Sequence, residues 1–248
     1  MNKVLVEIKK VCFSYGTELV VDHLDLKVRN AEILTVVGPS GCGKSTFLRL
    51  IAGLERPNSG KILIYQSEKE NKNLRFLFQD YDAFPWYTTW ENVKKSAPKN
   101  QYPCDEEVKA ILQRVSLWDS RNKYPGELSG GMRKRLALVR CLVVNPPLLL
   151  LDEPFSKLDV DTRYEMYTLL QELWQEYQQT IILVTHDLHE AIFLGSRILV
   201  STRLPFSVRK IIDIPFQYPR TDSITTTQSY LQIMQDLRKS LRPISKRI

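Results

Sequence analysis

The clearest chemistry in this 248-residue chain lies in one loop. Gly38-Pro39-Ser40-Gly41-Cys42-Gly43-Lys44-Ser45, followed by Thr46, fits the spacing G-x-x-x-x-G-K-[ST], which wraps a phosphate in backbone N–H groups. Glycines at 38, 41 and 43 permit that wrapping. Lys44 has the reach for the β- and γ-phosphates of a nucleotide, and the Ser45 hydroxyl suits Mg²⁺. A second group is the acidic pair Asp152-Glu153, which ends the apolar run Leu148-Leu149-Leu150-Leu151. Asp152 would hold Mg²⁺ through its water shell, and Glu153 would polarise the water that attacks the γ-phosphate. His186 closes a further apolar run, at a position suited to sensing the γ-phosphate. These residues together imply a Mg-dependent nucleoside triphosphatase.

Such groups need elements that hold them at one edge of a sheet. Ile33 to Val37 reads as a strand feeding the glycine loop, and Thr46 to Leu54 as the helix that leaves it, stopped near Gly53. Leu148 to Leu151 and Ile181 to Val184 are continuous apolar runs, as expected of parallel strands buried on both faces. Their carboxyl ends would open on a ligand crevice. Ile198 to Ser201 and Ile211 to Ile214 read as edge strands, and Met166 to Tyr177 as a helix with one apolar stripe. Val4 to Ile8 and Val20 to Val28 suggest an antiparallel β layer, with a turn at Asn30-Ala31 made by left-handed Asn30. Ser129 is placed to cap a helix that runs to about Val144. The fold class is therefore α/β: a P-loop NTPase core whose mainly parallel sheet is flanked by helices, with an N-terminal antiparallel β subdomain. A helical subdomain is expected at about 82–142, within one domain spanning 1–235, and a basic tail at 236–248.

Composition excludes several classes. Hydrophobic residues make up 43% and charged residues 25%, too apolar for a disordered chain. No run approaches the roughly 18 apolar residues of a membrane-spanning helix. Glu7 interrupts the N-terminal apolar run and no cleavage site follows it, so a signal peptide is not expected. The chain reads as cytosolic. Cys12, Cys42, Cys104 and Cys141 show neither disulfide nor metal-site spacing and read as small core or loop residues. More than half of the net charge of +7 falls in 236–248, where Arg238, Lys239, Arg242, Lys246 and Arg247 face only Asp236. Such a tail reads as solvated, lying near an anionic bilayer or a partner. It lacks the interleaved aromatics of a single-strand binder, so no nucleic-acid partner is expected.

Leu128-Ser129-Gly130-Gly131-Met132 resembles the signature motif of ATP-binding-cassette (ABC) ATPases. Nearly the whole chain follows that family's order of motifs. Tyr15, in Phe13-Ser14-Tyr15-Gly16, resembles the aromatic that stacks on adenine. Gln79, in Leu77-Phe78-Gln79-Asp80, resembles the glutamine that contacts metal and water. Ser156 to Asp159 resembles the loop after the catalytic glutamate, with Asp159 among the nucleotide contacts, and His186 matches the switch histidine. The resemblance implies ATP and Mg²⁺ as cofactors and two copies paired head to tail. Each ATP would lie between one copy's Gly38–Thr46 and the other's Ser129-Gly130-Gly131, with hydrolysis at Glu153 releasing the pair.

The stretch Ala83 to Val93 looks like that of importers for nitrate, sulfonates, taurine and related small solutes such as bicarbonate. The resemblance implies integral-membrane permease subunits as partners, and a second ATPase subunit, identical or not. A periplasmic or lipid-anchored solute-binding protein would act indirectly, and the chain would sit at the cytoplasmic face of the cell membrane. Departures are Lys157 in place of alanine, Ser156 in place of glycine, Lys134 in place of glutamine and Ala31 in place of glycine. Lys157 would lie near the dimer seam. The alternative is a soluble ABC ATPase working on nucleic acid or ribosomes, but the stretch between Gln79 and Ser129 is too short for the insertions of that class. An unrelated P-loop kinase would lack Leu128-Ser129-Gly130-Gly131.

Overall fold

The structure is a computed structural model that describes residues 3–65, 74–78, 83–97, 99 and 102–242. In chain order the first elements are β1 (Val4–Tyr15), β2 (Glu18–Arg29), β3 (Ile33–Val37), α1 (Lys44–Ile51) and β4 (Ser59–Ile64). They are followed by β5 (Leu74–Leu77), α2 (Thr89–Lys94), α3 (Asp105–Arg114), α4 (Gly130–Leu142), β6 (Leu148–Asp152) and α5 (Val160–Tyr177). The last are β7 (Thr180–Thr185), α6 (Leu188–Leu194), β8 (Arg197–Ser201), β9 (Val208–Asp213) and α7 (Gln228–Leu241). Two compact units result, one of Met1–Lys72 with Thr180–Ile248, the other of Asn73–Gln179.

In the first unit, β2, β1 and β4 form the expected antiparallel layer. Beside it β3 pairs in parallel with both β7 and β8. Every residue of these three strands is buried, which explains their unbroken apolar reading. β8 is not the edge strand that its sequence suggested. β9 runs antiparallel along it, from Arg197 opposite Asp213 to Ser201 opposite Val208, and takes the outer place. The turn before β3 also differs, because Ala31 rather than Asn30 is left-handed, at φ 55.

The expected tail boundary falls inside a helix. α7 runs through Asp236 to Leu241 and buries Tyr230, Ile233 and Leu237 against Val37, Ile192, Ile198 and Val200. Arg220 anchors the same region. Only 3% exposed, its guanidinium donates to the carbonyls of Ile192, Phe193 and Gly195 at 2.6, 3.3 and 2.8 Å. Those carbonyls lie at the end of α6, where a helix leaves acceptors unsatisfied and favours a cation.

In the second unit β5 and β6 pair in parallel, from Leu74 opposite Leu148 to Leu77 opposite Leu151. Helices α2, α3 and α4 supply the expected helical portion, although the unit also includes β5, β6 and α5. α5 begins earlier than its apolar stripe, because Asp159 caps it, and Tyr177 at the end of the stripe is exposed.

Candidate nucleotide site

The loop between β3 and α1 is built as an anion cradle. Gly43 has φ 100, a conformation that a side chain would strain. A Cβ on Gly38 would stand 1.9 Å from Ser201 Oγ, so only glycine lets the loop leave β3 this close to β8. Lys44 is 7% exposed, and its ammonium donates to the carbonyls of Gly38 and Pro39 at 2.9 and 2.8 Å. Neutral carbonyls hold the cation in place without cancelling its charge, which leaves it ready for an anion. Cys42 packs beneath, with Sγ 3.2 Å from Ser201 Oγ. Ser45 and Thr46 fall in the first turn of α1, whose positive end points to the same place.

Tyr15 ends β1 in the same unit, is 43% exposed and donates its hydroxyl to Glu55 Oε1 at 3.0 Å. His186 follows β7 directly and is exposed. Asp187 beside it caps α6, accepting from the N–H groups of His189 and Glu190.

In the second unit Asp152 is the last residue of β6 and 5% exposed. Glu153 follows at φ 49, a left-handed position for a residue that bears a side chain. Ser156 secures this turn, since its N–H and its hydroxyl both donate to the Glu153 carbonyl, at 3.2 and 2.9 Å. Strain held by such over-determined contacts is common where a side chain must be aimed. Lys157 is exposed at φ 66. Asp159 caps α5, accepting from the Thr162 N–H at 2.9 Å. That bond holds its carboxyl below the usual range. Ser129 caps α4 as expected, its hydroxyl accepting from the Met132 N–H at 3.2 Å, and Ser129 and Gly130 are exposed. Gln79 lies outside the described residues.

The aromatic stretch divides in two. Trp86 is 64% exposed and stacks on Phe84, ring centres 5.4 Å apart. Trp90 instead packs edge-on against Trp118. Fully buried Asn92 shapes the loop between them. Its Nδ2 donates to the carbonyls of Phe84, Tyr87 and Thr88 at 2.9 to 3.0 Å, and its Oδ1 accepts from the Phe84 N–H at 2.8 Å.

Residues 21–156 match the family model described as ABC transporter. The chain belongs to the ABC transporter family. Its relatives include an "Aliphatic sulfonates import ATP-binding protein SsuB" of Bacillus thuringiensis subsp. konkukian, 38% identical over 88% of this chain and 86% of that one. The protein of the same name in Bacillus licheniformis is 39% identical over 86% of this chain and 85% of that one. Among solved structures, a dimeric post-hydrolysis state of the ATP-binding cassette MJ0796 bound to ADP and phosphate has a TM-score of 0.72. It is 27% identical and covers 86% of this chain and all of that one.

As an ABC ATPase the chain binds and hydrolyses ATP. The cradle around Lys44 fits a nucleotide's phosphates, and Ser45 and Asp152 each offer a hard oxygen donor of the kind Mg²⁺ takes. Asn92 and Arg220 are the structural keystones that sequence reading passed over. For Asn92 the signal was an amide amid aromatics and turn residues. For Arg220 it was an arginine just after Pro219, which carries no information about the distant carbonyls it meets.

Proposed function

We propose that this ATPase energises a membrane importer for a small anion, with organic sulfonates as the favoured class. The observation that carries this reading is the likeness to sulfonate import ATP-binding proteins across 88% of the chain. Exposed Trp86, stacked on half-buried Phe84, supports it, because a projecting aromatic suits docking to a partner. The partners would be two integral-membrane subunits and a second copy or homologue of this ATPase. A solute-binding protein would act from the far side of the membrane, and the chain would lie peripherally on the cytoplasmic face. Relatives named for import weigh against a nucleic-acid or ribosomal role.

In the proposed cycle Lys44 exchanges the Gly38 and Pro39 carbonyls for phosphate oxygens, while the loop's N–H groups and α1 balance the rest of the charge. Tyr15 stacks on the adenine. Ser45 and Asp152, with Gln79, would hold Mg²⁺, which would neutralise charge on the phosphate oxygens. Glu153 orients the attacking water and accepts its proton, and His186 holds the γ-phosphate side. Ser129-Gly130-Gly131 of one copy would close over the nucleotide of the other, and Asp159 would line the same seam.

The test is reconstitution of the chain with its membrane subunits in lipid vesicles. The expected result is ATP hydrolysis that rises several-fold when an alkanesulfonate-loaded binding protein is added. Hydrolysis indifferent to that protein, or no assembly with the membrane subunits, would contradict the reading.

A further inference from the structure

The antiparallel pairing of β1 and β2 slips at a place that gathers metal-ligand chemistry. Val11 pairs with Leu24 and Phe13 with Val21. Between these pairs β1 contributes Cys12 alone, while β2 contributes both Asp22 and His23. Such a bulge re-aims side chains that strict alternation would send to opposite faces. A thiol, a carboxylate and an imidazole consequently converge, with one ligand atom from each lying within 4.8 Å of the other two. His23 Nδ1 stands 2.5 Å from Asp22 Oδ1, and the His23 backbone N–H donates to Cys12 Sγ at 3.3 Å. His23 itself is held at φ 41, left-handed backbone that strains a residue with a side chain.

We propose that Cys12, Asp22 and His23 form a binding site for a zinc-class divalent ion, with three protein ligands and the fourth position left to water. The donor set decides the class. Mg²⁺ and Ca²⁺ take oxygen ligands, whereas thiolate with imidazole selects zinc and its neighbours. Around tetrahedral Zn²⁺ the ligand atoms stand roughly 3.3 to 3.8 Å apart. The triad reaches that spacing if the Asp22–His23 pair parts by about 1 Å around the ion and the Cys12 sulfur, within 4.8 Å of both ligand atoms, closes on it. Cys12 is half-buried and His23 exposed, so an ion reaches the thiol from the solvent side. None of the three belongs to the proposed nucleotide machinery.

The experiment uses the full chain, stripped with a chelator and titrated with Co²⁺ as a spectroscopic stand-in for Zn²⁺. The expected result is one equivalent bound, with a thiolate-to-cobalt charge-transfer band that Zn²⁺ displaces. Cys12→Ser should abolish the band. His23→Asn, which tolerates left-handed backbone, should weaken binding by at least about tenfold. Cys104→Ser removes an exposed thiol elsewhere and should change neither. Circular dichroism confirms that each variant is folded. Absence of the band in the parent chain, its persistence in Cys12→Ser, or its loss in Cys104→Ser would overturn the proposal.

Discussion

Glu7 shows how a single carboxylate couples this fold to pH. Its oxygens accept from the Tyr65 hydroxyl at 2.6 Å and pair with Lys9 and Lys27 at 3.0 and 3.3 Å. The Tyr65 hydrogen bond first, then Lys9, lowers its pKa from 4.5 to about 2. A folded pKa below the unfolded one stabilises above the unfolded value and is lost as pH falls through the folded one. Urea unfolding of the parent and of Glu7→Gln should therefore differ at neutral pH and converge as pH falls from 4.5 towards 2. A difference that stays constant would refute the assignment. Ala31 makes a second prediction at this scale. Its left-handed φ of 55 is the one departure from family pattern that the backbone explains. Ala31→Gly should raise stability by about 1 kcal/mol, since the bond from its N–H to Thr180 Oγ1 is retained. An unchanged or lower urea midpoint would count against strain there.

At the scale of elements, the loop before α2 depends on Asn92 and on the capping box in which Thr88 and Glu91 exchange bonds. Asn92→Ala strands the Tyr87 carbonyl and the Phe84 N–H, each worth about 1–3 kcal/mol when buried and unpaired, while the Phe84 and Thr88 carbonyls keep backbone bonds from Tyr87 and residue 92. The expected outcome is faster proteolysis near Phe84–Tyr87 and poorer co-purification with the membrane subunits, at unchanged nucleotide affinity. Intact partner binding in a variant whose loop is cut faster would separate the loop from docking. Which elements were legible follows from the range of the forces that make them. The phosphate loop, β3, β6 and β7 were readable because glycine spacing and unbroken apolar runs are local signals. Ser129 as a cap was readable for the same reason. The middle place of β8 was hidden, because it depends on β9 arriving after an irregular stretch. α7 did carry a signal, apolar residues at Tyr230, Ile233, Met234, Leu237 and Leu241, but the basic residues between them drew the reading towards a solvated tail. The bulge at Cys12 had no local signal at all. Register slips are set by pairing across strands, and cysteine spacing along the chain is blind to them.

At the scale of the molecule, the groups proposed for catalysis are divided between the two units. Gly38–Thr46, Tyr15 and His186 belong to one, while Asp152, Glu153, Asp159 and Ser129-Gly130-Gly131 belong to the other. Neither unit holds the full proposed set. Glu153 is the group on which the proposed chemistry turns, and its side chain is carried by a left-handed residue pinned through Ser156. The decisive measurement compares ATP binding and ATP hydrolysis by the full chain and by Glu153→Gln. Loss of the general base should lower turnover by about 10² to 10⁴-fold, with ATP affinity retained and an ATP-bound dimer trapped. A Glu153→Gln variant that hydrolyses ATP at the parent rate would contradict the account.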